Sequence, residues 1–124
     1  MDLSGPTPIE LEDNGAWLTI LDLAGNETDA RLRLAGSNSK IAKKIRFEYV
    51  NRTKGSATAE QSEAALQRLV AACTLEVENL KLNGVAVTPE TIGTVYKAYP
   101  YLFAQANTFI HDESNFVDAV AVGK

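Results

Sequence analysis

Side chains that carry chemistry are scarce in this sequence of 124 residues, which contains one cysteine and one histidine. A single cysteine, Cys73, cannot form an intramolecular disulfide and is typical of a reducing compartment. Metal centres need several ligands at set spacings, and nucleophilic sites need a base beside the nucleophile. The sequence shows neither pattern, so we expect no catalytic residue, no metal and no cofactor, and a protein that binds rather than catalyses.

Long apolar runs are also missing. No stretch approaches the roughly 18 consecutive apolar residues that indicate a membrane-spanning helix. The first ten residues, MDLSGPTPIE, are acidic and proline-rich, and they lack the basic and apolar regions of a signal peptide. We therefore expect a cytoplasmic protein that has no membrane partner.

The overall composition is that of an ordinary globular protein, with 45% hydrophobic and 23% charged residues. A chain of this length is typical of one domain. Residues 1–7 are rich in Gly, Pro and Ser, which predicts a flexible N-terminal lead. We assign residues 8–122 to a single α+β domain.

Charge is distributed unevenly along the chain, although the net charge is only −4. Residues 1–29 hold seven acids and no base, whereas residues 31–54 hold eight bases and one acid, Glu48. Such blocks can pair within the domain, pair between copies, or face different partners. The basic block could bind nucleic acid, but nucleic-acid-binding domains are usually basic and this chain has a pI near 5.0. We expect no nucleic-acid partner.

Three segments near the N-terminus have the alternation or the β-branched and aromatic content of strands, and turn signals separate them. Asp13-Asn14-Gly15 favours a hairpin turn, and Ala24-Gly25-Asn26 is a second turn. The pattern predicts a three-stranded antiparallel meander with Trp17 in the core. Its strands are Ile9–Glu12, Trp17–Leu21 and Ala30–Leu34.

About four helices are predicted to follow the meander. Ser37 or Ser39 caps the first, which runs to about Arg52. A capping box that begins at Thr58 opens a long helix, which we expect to reach about Leu80 and to stop before Asn83-Gly84.

The remaining helix signals lie in the last third of the chain. Thr88-Pro89-Glu90 has the cap, proline and acid of a helix start. Pro100 ends that helix and can open the next one. Ser114 caps a final short helix through Val122.

Three local features suggest chemistry, and each has a simpler structural explanation. Cys73 lies on the apolar face of the long helix, which favours a buried thiol. His111 is predicted to face solvent or to pack at a helix end. The segment Gly36-Ser37-Asn38-Ser39-Lys40 lacks the spacing of a phosphate-binding loop, and a capped helix start explains it better, although its free amides could bind an anion.

Aromatic residues are concentrated near the C-terminus, where six of the nine lie between Tyr96 and Phe116. Aromatic side chains give a large contact area, so such a cluster is either core or a docking surface. Helical spacing assigns three of them to the core and leaves three as candidate partner contacts. The core set is Tyr96, Tyr99 and Phe109, and the contact set is Tyr101, Phe103 and Phe116. Phe47 and Val50 lie off the apolar stripe of the first helix, so we predict that they form a subunit contact.

The order of these features resembles a known family. IELEDNGAWLTIL is followed by LAGSNSKIAKKI, then by NLKLNGVAVT, and the sequence closes with VYKAYPYLFAQANTFIHDESNF. Over residues 8–118 this arrangement resembles the tail assembly chaperones, or minor tail assembly proteins, of long-tailed bacteriophages and prophages.

The resemblance implies a non-enzymatic protein of the host cytoplasm that coats the tape measure protein and recruits tail tube subunits. It also implies, in many members, a longer product made by ribosomal frameshifting, of which this chain would be the short form. The opposed acidic and basic blocks would suit self-association of neighbouring copies. Two alternatives stay open. One is a structural minor tail protein retained in the virion, such as a terminator or completion subunit. The other is a nucleic-acid-binding regulator.

Overall fold

The computed structural model describes residues 1–54 and 57–117. Within these residues it contains five α-helices, five strands and one short 3-10 helix at Glu113–Asn115. The helices are α1 (Pro8–Asn14), α2 (Lys40–Thr53), α3 (Ala59–Cys73), α4 (Ile92–Ala98) and α5 (Pro100–Ile110). The strands are β1 (Ala16–Leu21), β2 (Glu27–Leu34), β3 (Thr74–Glu78), β4 (Lys81–Leu82) and β5 (Val85–Ala86). The α+β class is confirmed.

A three-stranded antiparallel sheet, ordered β1-β2-β3, is the main sheet. Leu18, Leu32 and Val77 stand side by side across it. The prediction of three antiparallel strands is therefore confirmed, but the predicted meander was wrong in two of its parts. The segment predicted as its first strand, Ile9–Glu12, lies in a helix. The third strand of the observed sheet is residues 74–78, which were predicted to belong to the long helix.

Residues 8–14 form α1 because they carry the signals of a helix start. The Thr7 hydroxyl accepts a hydrogen bond from the Glu10 amide at 3.2 Å, and Pro8 occupies the first turn. Gly15 ends the helix with a φ of +81°. The alternation of four residues at Ile9–Glu12 was too short to distinguish a strand from a helix.

The two caps predicted for the next helices are confirmed. Ser39, rather than Ser37, caps α2, and its hydroxyl accepts a hydrogen bond from the Ala42 amide. Thr58 and Gln61 form a reciprocal capping box at the start of α3, with hydrogen bonds of 3.1 and 2.9 Å. However, α3 ends at Cys73 instead of Leu80, because Thr74 turns into extended backbone and continues as β3.

Asn83-Gly84 forms the turn of the β4–β5 hairpin and does not terminate a helix. Both residues have positive φ, 52° and 80°, which is the conformation that this dipeptide favours. The helix start predicted at Thr88-Pro89-Glu90 was wrong, because the Thr88 amide donates to the Thr91 hydroxyl in a turn and α4 begins only at Ile92. Pro100 opens α5 as predicted.

At the C-terminal end, the helix predicted from Ser114 to Val122 is replaced by the 3-10 helix Glu113–Asn115, and residues 118–122 lie outside the described part. The N-terminal lead, residues 1–7, is exposed. No helix among residues 1–54 and 57–117 has the length and apolarity needed to cross a membrane.

The core lies between one face of the sheet and the helices α3, α4 and α5. Alternate residues of β2 (Ala30, Leu32 and Leu34) point into it, and Cys73 is buried there as predicted. The other face of the sheet carries Trp17 and the β2 arginines. Trp17 was predicted to be core, but its ring is half-buried on this outer face with the Arg31 guanidinium 4.3 Å from its centroid.

Candidate functional site

The single cysteine, Cys73, is buried, whereas the single histidine, His111, is exposed. Burial raises the pKa of the Cys73 thiol to about 11, against the opposing effects of a hydrogen bond from Ser39 and the charge of Arg46. A thiol held in its neutral form is a poor nucleophile. His111 is exposed at the end of α5, where its Nδ1 lies 2.8 Å from the Asn107 carbonyl oxygen. Among the described residues, no group of three His, Cys, Asp or Glu side chains is placed to hold a metal ion.

The N-terminus of α2 was a candidate anion site, and the protein's own carboxylates occupy it. Glu12 is buried and accepts hydrogen bonds from the backbone amide of Asn38 at 2.9 Å and from its side chain at 3.0 Å. Asp13 accepts a hydrogen bond from the Lys40 amide at 2.7 Å. Carboxylates are favoured at this end of a helix. Helix α1 therefore anchors α2, and little of this N-terminus remains for an external anion.

Gly36 makes the Glu12 contact possible. A Cβ atom at this position would lie 2.0 Å from the Glu12 carboxylate oxygen, far inside van der Waals contact. The Gly36 amide also donates a hydrogen bond to the Glu12 carbonyl oxygen at 3.0 Å. The glycine in the Gly-Ser-Asn-Ser segment thus serves close packing between α1 and the start of α2.

The aromatic segment is mainly core. Tyr96 is buried and its hydroxyl lies 2.8 Å from that of Thr74, while Phe109 packs half-buried against the core. Phe116 was predicted to be available for contact, but it is only 6% exposed and packs edge-on against Phe109 at 5.6 Å. Burial of this ring removes it from the accessible surface.

The three remaining aromatic residues of the segment lie nearer the surface. Tyr99 was predicted to be core, but it is 39% exposed because it occupies the junction between α4 and α5. Tyr101 and Phe103 are half-buried and pack against the core, and Phe103 makes an edge contact with Tyr96 at 6.0 Å. Both therefore expose part of a ring, and their predicted role in partner binding stays a prediction.

Helix α5 and the edge strand β1 enclose a shallow groove of about 610 Å³. Gln105 fixes its geometry, since its amide oxygen accepts a hydrogen bond from the Leu21 amide at 2.8 Å and its nitrogen donates to the Leu21 carbonyl at 2.9 Å. This side chain satisfies backbone groups that a sheet edge would otherwise present to solvent. The groove is lined in part by Leu18, Leu21, Ala104, Thr108 and Phe109.

Phe47 and Val50 are exposed on α2, as the sequence predicted, with exposed fractions of 67% and 56%. They lie among lysines rather than in an apolar patch. Their predicted role as a subunit contact is not tested by this exposure, but the exposure is what such a role requires.

The acidic and basic blocks pair with each other only weakly. Lys40 and Asp13 approach to 4.0 Å, which is the one ion pair between the two blocks within residues 1–54 and 57–117. Arg31 and Arg33 instead pair with Glu78 and Glu76 of β3, at 2.7 and 3.0 Å. Most charged side chains of the two blocks therefore do not pair with each other within residues 1–54 and 57–117.

Sequence reasoning missed the α1–α2 anchor and the groove. The Thr7-Pro8-Ile9-Glu10 start could have revealed α1, because it has the same pattern that was recognised at Thr88-Pro89-Glu90. The groove had no signal in the sequence, since Gln105 and Leu21 are brought together only by packing of α5 on β1.

The chain matches no protein-family model, no curated protein and no solved structure.

Proposed function

We propose that this chain is a non-enzymatic tail assembly chaperone of a long-tailed bacteriophage or prophage. In this role it binds the tape measure protein in the host cytoplasm and promotes assembly of tail tube subunits around it. The order of motifs along residues 8–118 is what carries this proposal. The tape measure protein is an extended client, so many copies bound weakly along it would together bind strongly.

The groove between β1 and α5 is the surface that best suits the client. Its volume of about 610 Å³ exceeds the 490 and 230 Å³ of two other grooves on the described residues, and the apolar side chains Leu18 and Phe109 line it. An apolar groove of this kind accepts one side of an amphipathic segment. Tyr101 and Phe103 lie on the same helix but do not line this groove, and Tyr101 lines a smaller pocket with Leu80 and Tyr99.

Capture of the client by co-purification tests the proposal. The genomic neighbour that encodes a very long helical protein is co-expressed with this chain, and the complex is isolated through a tag on the neighbour. We expect the wild-type chain to co-purify. The variant A104R/T108R should not, because two long charged side chains one helical turn apart would fill the groove.

The matched control is T94R/A98R, which places the same two substitutions one turn apart on exposed positions of α4. If the control co-purifies with the client and A104R/T108R does not, the client-binding site lies in the groove. If the wild-type chain does not co-purify with the neighbour, the client assignment fails.

A structural tail subunit retained in the virion is the alternative. The two roles differ in the finished particle, since a chaperone leaves and a terminator or completion subunit stays. Mass spectrometry of purified particles should therefore find little of this chain. Stoichiometric detection would replace the chaperone proposal with the structural one.

A further inference from the structure

We propose that copies of this chain associate head to tail. In this contact, the solvent face of α2 in one copy binds the acidic turn of the β1–β2 hairpin in the next. The inference goes beyond client binding and names both surfaces of the contact. It depends on two surfaces of the same chain. They carry opposite charge, and each contains exposed apolar residues.

The first surface is the face of α2 that points away from the core. Ile41, Ile45 and Tyr49 lie toward the core side of this helix. At 100° per residue, Lys43, Phe47 and Val50 lie on the opposite side within an arc of about 60°. Lys54 follows α2 as its C-cap, with a φ of 52°, and is exposed. We call these four residues the basic face, in which the sequence places two apolar residues between two lysines.

The charge of the basic face is not compensated within the described part of the chain. Neither Lys43 nor Lys54 forms an ion pair with any residue of 1–54 or 57–117. Glu48 is the sole acid on α2, and it pairs with Arg68 of α3 at 3.4 Å. A partner of this face therefore needs acids arranged around an apolar side chain.

The second surface has that composition. Leu23 at the tip of the β1–β2 hairpin is 81% exposed, and Asp22, Glu27 and Asp29 surround it in the sequence and are exposed. We call these four residues the acidic turn. None of the three acids forms an ion pair among the described residues.

The acidic turn is held in a defined shape. One carboxylate oxygen of Asp22 accepts hydrogen bonds from the amides of Ala24 and Asn26, each at 2.9 Å. The Asp22 amide donates to the Asn26 carbonyl at 2.9 Å, and Gly25 completes the turn with a φ of +86°. A preformed turn loses little conformational entropy on binding. Leu23 is thus presented at a fixed position in the turn.

Complementary charge selects a second copy as the occupant of the basic face. Each chain carries both surfaces, and the two surfaces differ, so the contact is heterologous and can repeat from copy to copy. Several charge pairs around a small apolar centre give a contact that weakens with salt. Repetition of such a contact would place copies in a row, which suits an extended client.

Sedimentation velocity at several protein concentrations tests this. At low salt we expect the wild-type mass to rise with concentration above the 13.4 kDa of one chain, and to fall back at high salt. The variants K43E/K54E and E27K/D29K should each remain at the mass of one chain. All four positions are exposed, and circular dichroism checks that both variants are folded.

Mixing the two variants provides the decisive result. The reversed basic face of one then meets the reversed acidic turn of the other, and the two native surfaces also meet, so association should return. A chain that carries all four substitutions should likewise associate with itself. The control E63K/E90K makes the same change in net charge as E27K/D29K at exposed positions elsewhere and should associate like the wild type.

Three results would overturn the inference. The first is a wild-type chain that stays at the mass of a single copy at low salt and high concentration. The second is a mixture of the two variants that does not associate. The third is a duplex DNA oligonucleotide that binds the wild-type chain at low salt but not K43E/K54E, which would assign the basic face to nucleic acid. A chain that never associates but still captures the tape measure protein refutes this inference and leaves the proposed function standing.

Discussion

The aromatic segment from Tyr96 to Phe116 and the helix α2 place their hydrophobic side chains in opposite environments. The segment is rich in aromatic residues and two of its rings, Tyr96 and Phe116, are buried. The helix is rich in lysine, yet Phe47 and Val50 lie in solvent. Density of hydrophobic residues in the sequence therefore did not predict which side chains are exposed. The angular position of each side chain relative to the core decides it.

The largest effect on the free energy of unfolding is expected when one ring is truncated in the core and another at the surface. Tyr96→Ala should lower the free energy of unfolding by about 3–5 kcal/mol, because it removes a buried ring and leaves a cavity. Tyr99→Ala should change it by less than about 0.5 kcal/mol, since that ring is partly in solvent. Urea unfolding followed by circular dichroism measures both. Equal losses for the two variants would contradict the assignment of Tyr96 to the core and Tyr99 to the surface.

A second test uses the titration of the buried thiol. The pKa of Cys73 is about 11 in the folded chain and 9.0 in the reference state. Below pH 9 both states hold the proton, and above it the unfolded state releases the proton first. Stability should therefore fall as pH rises from about 9 to 11, by about 2–3 kcal/mol in total.

The control for this titration is Cys73→Ala. It should be less stable below pH 9 and should lose stability less steeply between pH 9 and 11. Burial also raises the pKa of Tyr96 above its reference value of 10.0, so this tyrosine adds a loss of stability that begins near pH 10 and that the control shares. An equally steep fall in the control would show that another group is responsible.

A third test removes one hydroxyl of the core. The Tyr96 and Thr74 hydroxyl oxygens are 2.8 Å apart, and Thr74 also donates to the Val70 carbonyl oxygen at 2.9 Å. Tyr96→Phe should therefore cost about 1 kcal/mol. Combining it with Thr74→Val in a double-mutant cycle isolates the pair. Strict additivity of the two losses would mean that the hydroxyls do not interact.

The smallest effect on stability is expected on the basic face. F47S/V50S should change the free energy of unfolding by no more than about 0.5 kcal/mol per site, because both side chains are in solvent. The same variant should associate more weakly in sedimentation. Ile45→Ser is the comparison within α2, and it should destabilise the fold clearly because Ile45 packs against the core. A large loss of stability in F47S/V50S would place these residues in the fold rather than on a surface.

Local signals predicted some of the helix starts and turns. Ser39, the Thr58 capping box and the Gly25 turn were all located from the sequence. Each of these features is decided by hydrogen bonds between atoms no more than four residues apart. The exposure of Phe47 and Val50 was predictable for a similar reason, since helical spacing places them off the stripe of Ile41, Ile45 and Tyr49.

Tertiary structure decided the rest. Residues 74–78 have a helix-compatible pattern, but they pair with β2, and Arg31 and Arg33 find Glu78 and Glu76 more than forty residues away. Trp17 faces outward because its register opposite Arg33 fixes its side of the sheet. The sequence by itself determined the caps of α2 and α3 and the Gly25 turn, because those choices depend on near neighbours. Which face each strand and ring presents was decided only by pairing and packing between distant residues.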